Sequence, residues 1–306
     1  MLENKETGAV DVTNKHPLSE LSNQYNQVAD IEELVIFDLP SPQITQAHML
    51  KLAHKITEVI DGYDSIVITH GTDTLEETAY FLDLVLETEK PIIITGAMRS
   101  SNEIGSDALY NLISSLRVAS SEKAKNNGVL VVMNDEIHTA ANVTKTSTSN
   151  VATFQSPQYG PIGTITKTSI IFHHTILERD VYPISQITSK VFLLKAFAGM
   201  DESIINAIYQ ANPDGIVIEA LGQGNLPAAT VKPLQTILQR NIPVVLVSRC
   251  YKGNVQPTYA YEGGGRKLKD LGIIFANGLT GPKARIKLMI ALEKTTKLDE
   301  LTDMFI

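Results

Sequence analysis

Short, continuous apolar runs recur along the chain, and each one ends in small or polar residues. The runs are SIVIT (65–69), PIIIT (91–95), GVLVVM (128–133), VFLLKAF (191–197), DGIVIEAL (214–221), PVVLV (243–247) and GIIFA (272–276). Unbroken β-branched runs are typical of strands that are buried on both faces, because a half-exposed strand alternates apolar with polar residues. The pattern therefore predicts a core of buried strands.

Helical periodicity fills several of the gaps between these runs. Apolar residues recur at three- and four-residue spacing from 75 to 86, and again from 108 to 118. Strand and helix in alternation predict an α/β fold with mostly parallel sheets. The polar segment ERDVYPISQITSK (178–190) has no clear period and divides the chain into two lobes of ordinary domain size. We expect a larger N-terminal domain over 1–180, a linker over 181–189 and a smaller C-terminal domain over 190–306.

The beginning of the sequence departs from this pattern. The first 33 residues contain no strand-like run, and LVIF (34–37) is the earliest candidate. Doubly wound folds commonly begin with a central strand, against which the other strands are laid. We therefore expect that a strand is missing in front of the given sequence.

Composition narrows the class of protein. The 306 residues include 26 Lys and Arg against 34 Asp and Glu, a net charge of −8, and 43% are hydrophobic, which excludes a disordered chain. The acidic balance argues against a nucleic-acid partner. No apolar run approaches the ~20 residues that cross a bilayer, so no membrane partner is expected. Cys250 is the only cysteine, which rules out an internal disulfide and favours a cytoplasmic protein.

The turn after the first predicted strand carries candidate chemistry. In open α/β sheets ligands bind beyond the carboxyl ends of the strands, and here SIVIT is followed by His70, Gly71, Thr72, Asp73 and Thr74. A helix N-terminus at this turn would suit a carboxylate ligand. Alternatively, Asp73 or Thr74 simply caps that helix, and these residues taken alone favour the cap.

A second candidate is Lys145, which lies between Thr144 and Thr146. Such a lysine could act as the base for a threonine nucleophile, although a solvated loop lysine is the commoner case. The segment Gly222–Asn225 lacks the third glycine of a dinucleotide fingerprint. The histidines lack metal-ligand spacing. These residues therefore support neither a dinucleotide site nor a metal site.

Taken together, these segments closely resemble the bacterial L-asparaginase family, from about residue 8 to the C-terminus and in the family's order. The most specific match is ITHGTDTLEETA (68–79), which resembles an active-site signature of that family. Further matches are ITGAMR (94–99), VTKT (143–146), FQSP (154–157), ALGQGN (220–225) and GPKAR (281–285).

The resemblance implies hydrolysis of L-asparagine to L-aspartate and ammonia, without metal or cofactor. It implies that Thr72, Asp73 and Lys145 form a catalytic group, with Lys145 as base and Asp73 holding it while also binding the substrate's α-amino group. Ser41 matches the serine that contacts the substrate carboxylate. Asn225 matches a residue that reaches into the neighbouring subunit's site, which implies a homo-oligomer built as a dimer of intimate dimers, usually a homotetramer.

The sequence also departs from the family. It contains no Thr-Gly-Gly-Thr-Ile motif, whose first threonine is the family's primary nucleophile, and this agrees with the missing strand expected above. Two alternatives therefore remain beside a working hydrolase. One is a catalytically impaired truncated form or an amino-acid-binding pseudoenzyme. The other is the asparaginase-like subunit of a tRNA-dependent amidotransferase, which the absence of an added domain and the charge of −8 make the least favoured.

Overall fold

The structure, a computed structural model, describes residues 2–4, 7, 9–11 and 27–305. It contains two compact units, Met1–Pro183 and Ile184–Ile306. The domain limits expected from the sequence stay a prediction. Both units are of the predicted α/β type, and each is built around its own sheet.

The first unit contains ten strands and three α-helices among its described residues. The strands are β1 (Leu2–Glu3), β2 (Val10–Asp11), β3 (Ile66–Thr69), β4 (Ile92–Thr95), β5 (Val129–Met133), β6 (Glu136–Thr139), β7 (Thr144–Lys145), β8 (Phe154–Gln155), β9 (Gly163–Ile165) and β10 (Ile170–Phe172). The helices are α1 (Gln46–Val59), α2 (Leu75–Val85) and α3 (Ala108–Ala119). Short 3-10 turns lie at Ser41–Gln43, Ile60–Gly62 and Glu122–Ala124.

Six of these strands form one sheet in the order β10-β9-β6-β5-β4-β3. The strands β3, β4 and β5 are parallel, whereas β6, β9 and β10 add to them in antiparallel fashion. Val118 of α3 packs on the face that Ile93 of β4 and Leu130 of β5 present. Alternate side chains of a strand point to opposite faces, so Ile92 and Ile94, which are also buried, belong to the other face.

The strand β3 is the last strand on its side of the sheet among the described residues. A cavity of about 500 Å³ lies beside it, lined by β3, by Leu52 and Ile56 of α1 and by residues 29–37. The prediction that this strand is buried on both faces is therefore wrong, and Ile66, Val67 and Ile68 are all partly exposed.

The apolar run LVIF (34–37) forms no strand, contrary to the sequence pattern. Leu34 and Val35 are 58% and 75% exposed. The run faces β3 across the cavity, and none of the described strands pairs with it, so its backbone lacks the ladder that would make it a strand.

The second unit contains a four-stranded, fully parallel sheet. Its strands are β11 (Val191–Lys195), β12 (Gly215–Ala220), β13 (Val244–Ser248) and β14 (Ile274–Phe275), which pair in chain order. Its helices are α4 (Ser203–Gln210), α5 (Val231–Leu238), α6 (Gly265–Asp270), α7 (Gly281–Lys294) and α8 (Leu298–Asp303), and a 3-10 turn lies at Ala228–Thr230.

Two apolar clusters cover the two faces of this sheet. Ile216 and Ile218 of β12 pack in one cluster with Ile205 of α4. The intervening Val217 packs in the other with Leu288 of α7. A strand buried on both faces has a continuous apolar run, and the prediction is confirmed for β12, β13 and β14, whereas β11 is only partly buried. Within the described residues, no helix is long and apolar enough to cross a membrane.

Candidate active site

The turn between β3 and α2 is built on close backbone packing. His70 N donates to Thr95 O of β4, which continues the strand ladder past Thr69. Gly71 then packs against Ser41, and an ideal Cβ at position 71 would lie 2.8 Å from Ser41 Oγ. A side chain at position 71 would therefore displace the turn that follows.

The turn packs against Ser41, which is buried and only 3% exposed. Its hydroxyl oxygen accepts a hydrogen bond from Asp73 N at 3.2 Å, and its carbonyl accepts one from Thr74 Oγ1 at 2.7 Å. Thr74 is the residue just before α2, at its N-cap position, yet its side chain makes no capping bond to the helix. The capping interpretation is therefore wrong for Thr74, because its hydroxyl is committed to Ser41.

The structure brings Lys145 to the same turn, although it lies more than 70 residues further along the chain. Lys145 Nζ lies 3.0 Å from Thr72 Oγ1 and 2.7 Å from Asp73 Oδ1. The lysine side chain is 16% exposed, whereas that of Asp73 is 59% exposed. One amine thus lies between a hydroxyl and a carboxylate, and the pair opens to solvent on the side of the aspartate.

Glu76, in the first turn of α2, also contacts this group. Its Oε1 accepts from Thr144 Oγ1 at 3.1 Å and from Lys145 N at 3.3 Å. These contacts join residues 68 and 69 positions apart in the sequence, so no local spacing indicates them. The partner strand β7 could not be identified from a two-residue pattern.

His70 stabilises the turn through hydrogen bonds to Gly71 and to Thr78 of α2. Its Nδ1 lies 2.7 Å from Gly71 O and its Nε2 lies 3.0 Å from Thr78 Oγ1. Since a carbonyl oxygen only accepts, Nδ1 carries the proton and Nε2 accepts from the threonine. Burial disfavours the charged ring and lowers the pKa of His70 below its ordinary value, against the opposing effect of the Gly71 carbonyl.

Asn225 belongs to the second unit. It pairs with Leu221 in an isolated bridge, and its Oδ1 accepts from Gly265 N at 3.1 Å, at the start of α6. Its side chain therefore has a local structural partner. Among the described residues, no group of three or more His, Cys, Asp or Glu side chains is arranged to hold a metal ion.

Comparison with known proteins matches both units to described families. Residues 1–178 match "Asparaginase, N-terminal", and residues 190–305 match "Glutaminase/Asparaginase C-terminal domain". A probable L-asparaginase of Deinococcus radiodurans is 39% identical over 274 residues, which cover 88% of this chain and 83% of the relative. An L-asparaginase of Bacillus licheniformis is 35% identical over 258 residues, covering 84% of this chain and 80% of the relative.

A solved structure is also similar over most of the chain. It is that of a probable cytoplasmic L-asparaginase from Campylobacter jejuni, with a TM-score of 0.87 and 33% sequence identity. The similarity covers 94% of this chain and 92% of that one. Both units therefore have counterparts in one known protein.

Proposed function

Because this chain belongs to the asparaginase family, we propose that it is an amidohydrolase that converts L-asparagine to L-aspartate and ammonia. The observation that carries the proposal is the position of Lys145 Nζ, 3.0 Å from Thr72 Oγ1 and 2.7 Å from Asp73 Oδ1. A hydroxyl nucleophile beside a base that a third group holds in place is the recurring arrangement of covalent amide hydrolysis.

In the proposed reaction Thr72 acts as the nucleophile in place of the family's primary threonine, whose Thr-Gly-Gly-Thr-Ile motif the given sequence does not contain. Its Oγ1 attacks the side-chain amide carbon of asparagine while Lys145, in its neutral form, takes the hydroxyl proton. Lys145 passes that proton to the amide nitrogen, the C–N bond breaks, and ammonia leaves an aspartyl ester on Thr72. Water then attacks the ester, and Lys145 moves one water proton to the Thr72 oxygen. This chemistry draws on side chains and water alone, so the proposal includes no metal or cofactor.

The remaining roles concern substrate binding. The carboxylate of Asp73, which is largely exposed, would bind the substrate's α-ammonium group in addition to Lys145. Ser41, which lies against the start of α2, would bind the substrate carboxylate, and a helix N-terminus favours an anion there. Asn225 would serve the site of a neighbouring subunit.

That role for Asn225 requires a homo-oligomer, and we propose a dimer of intimate dimers in the cytoplasm. Light scattering coupled to gel filtration measures the mass directly. Four chains of 33.5 kDa each would support the homotetramer, and a monomer would contradict the role of Asn225.

Ammonia release from L-asparagine and from L-glutamine tests the proposal. Replacing Lys145 by Met keeps the length and the apolar stem of the side chain but removes the base. We expect kcat to fall by on the order of 10³-fold, as for other residues of a nucleophile–base group. The control is Lys167→Met, because Lys167 is an exposed lysine of the same unit and lies outside the site.

The possible outcomes distinguish a wrong assignment of residue roles from a wrong assignment of the activity. If the unaltered protein releases ammonia and Lys145→Met does so equally well, the assigned roles are wrong and the activity stands. If it releases none from either amide but binds L-aspartate by calorimetry, it is an amino-acid-binding protein instead of a hydrolase.

A further inference from the structure

The strand that carries Lys145 is not part of the main sheet. Among the described residues β7 pairs with β8 alone, through Thr144 with Gln155 and Lys145 with Phe154. Thr72 and Asp73 follow β3, which belongs to the six-stranded sheet. The distance between the Lys145 amine and the Thr72 hydroxyl thus depends on how β7 is held against the start of α2.

Glu76 holds these two elements together. We infer that Glu76 is a positioning residue for Lys145: its carboxylate fixes the strand that carries the amine to the helix whose leading turn carries the hydroxyl. Its Oε1 accepts from Thr144 Oγ1 at 3.1 Å and from Lys145 N at 3.3 Å. One carboxylate oxygen therefore accepts hydrogen bonds both from the side chain of Thr144 and from the backbone N–H of Lys145. This inference rests on the proposed function, in which Lys145 is the base.

A lysine needs such an anchor more than other bases do. Its four-carbon stem is flexible, so the amine is held in one place only if the backbone is fixed and the amine has partners. Thr72 and Asp73 supply the partners, and Glu76 fixes the backbone. A displacement of about 1 Å at a reacting group can lower a rate by on the order of 10²-fold.

A second role for Glu76 has to be separated from this one. A carboxylate in the first turn of a helix is stabilised by the helix dipole, and that effect depends on its charge. The positioning role depends instead on an acceptor oxygen at the right place. Glu76→Gln keeps the acceptor and removes the charge, whereas Glu76→Ala removes both. A dipole effect alone predicts that the two variants behave alike.

Steady-state ammonia release is the first measurement. We expect kcat of Glu76→Ala to fall 10- to 100-fold with KM within about threefold of the original value, since the substrate-binding groups stay in place. The kcat of Glu76→Gln should stay within about threefold of the original value. If Glu76→Gln is as impaired as Glu76→Ala, the positioning role is wrong.

The second measurement does not depend on activity. Acetylation of lysines by acetic anhydride, followed by mass spectrometry, reports how well the Lys145 amine is held, with exposed Lys167 as the internal reference. We expect Lys145 to react at least threefold faster in Glu76→Ala and at the original rate in Glu76→Gln. An unchanged rate in Glu76→Ala would overturn the inference even if the protein proves not to hydrolyse asparagine, and that failure would show separately in the ammonia assay.

A further pair of variants covers the case in which Glu76→Ala does not fold. Thr144→Val removes one of the two donors to Glu76 Oε1, and Thr144→Ser keeps it. The valine variant should show a smaller loss of kcat and a smaller gain in Lys145 acetylation, whereas the serine variant should match the original protein. Equal behaviour of the two variants would contradict the inference.

Discussion

At the scale of single residues, His70 joins the candidate site to the helix behind it. Its ring donates from Nδ1 to the Gly71 carbonyl and accepts at Nε2 from Thr78, a buried residue of α2. Both bonds as they stand use the neutral ring. Protonation would add a second donor that faces a hydroxyl which now donates, so the arrangement favours neutral His70.

This preference predicts a pH dependence of stability. Burial lowers the pKa of His70, so the unfolded chain binds the proton more readily than the folded one. The stability that neutral His70 contributes is fully present above the ordinary histidine pKa of about 6.5, and it is lost as the pH falls below that value towards the folded pKa. Stability should fall by up to about 1.4 kcal/mol per pH unit in that window.

The measurement compares urea unfolding of the original protein and of His70→Gln between pH 7.5 and 5.0. Glutamine keeps one donor and one acceptor but does not titrate in this range. We expect the original protein to lose stability more steeply on acidification than the variant. Two parallel curves would show that His70 does not carry the effect.

At the scale of secondary-structure elements, the hairpin β5–β6 is the clearest case of local residues deciding the structure. Its loop consists of Asn134 and Asp135, with φ angles of 49° and 66°. Two left-handed residues in a two-residue loop match the twist of the flanking strands, and Asn and Asp tolerate this conformation better than most residues. Asn134 N also donates to Asn111 Oδ1 in α3, which fixes the loop to the unit.

The effect of replacing Asn134 on stability should therefore depend on which residue replaces it. Asn134→Ala places a residue with no local polar contact in the left-handed region and should destabilise the protein by about 1 kcal/mol. Asn134→Gly is the matched control, because glycine adopts positive φ without that penalty and should be close to neutral. Urea denaturation at pH 7.5 measures both. An alanine variant as stable as the glycine variant would contradict the conformational argument.

Much of the fold was predictable because most of the parallel strands are buried, and a buried strand is a continuous apolar run within a few consecutive residues. Each of the seven apolar runs contains a strand, and both periodic segments form helices. The seven runs do not include β6, because the short segment Glu136–Thr139 mixes polar and apolar residues; the turn Asn134–Asp135 before it is nevertheless a hairpin signal. Strands of two residues, such as β7, carry no period at all. Their position is fixed by tertiary contacts that a local pattern does not contain.

The candidate site was likewise predictable in part. The turn at Thr72 and Asp73 follows from where β3 ends, since ligands bind beyond the carboxyl ends of such strands. The approach of Lys145 follows from the fold and could be anticipated only through the family resemblance. Glu76 was visible in the sequence, but its role depends on the position of β7, which the sequence alone did not give.

At the scale of the whole molecule, the two units differ in how completely their sheets are covered. The sheet of the second unit is packed on both faces by apolar clusters that include Ile218 and Val245. The sheet of the first unit ends, among the described strands, at β3, beside a cavity of about 500 Å³. Catalysis is proposed at the carboxyl end of this same strand.

Among the described strands, β3 is paired on one side only, and this has a consequence for how the protein behaves in concentrated solution. An apolar strand edge that no other strand covers is a template for pairing with another polypeptide, and natural proteins often guard such edges with lysine. We expect self-association that increases with concentration and that Ile66→Lys reduces, because Ile66 is a partly exposed residue of β3 beside the cavity. Ile104→Lys, which adds the same charge at a 98% exposed loop residue, serves as the control.

Static light scattering over a range of concentrations would register the difference. Equal scattering from the two lysine variants would mean that the added charge alone reduces self-association, and that the position of the lysine on β3 is irrelevant. If the edge is responsible, the solubility of this protein depends on the strand that leads into the turn proposed for catalysis. A substitution made to keep the protein in solution then has to leave the register of that strand intact.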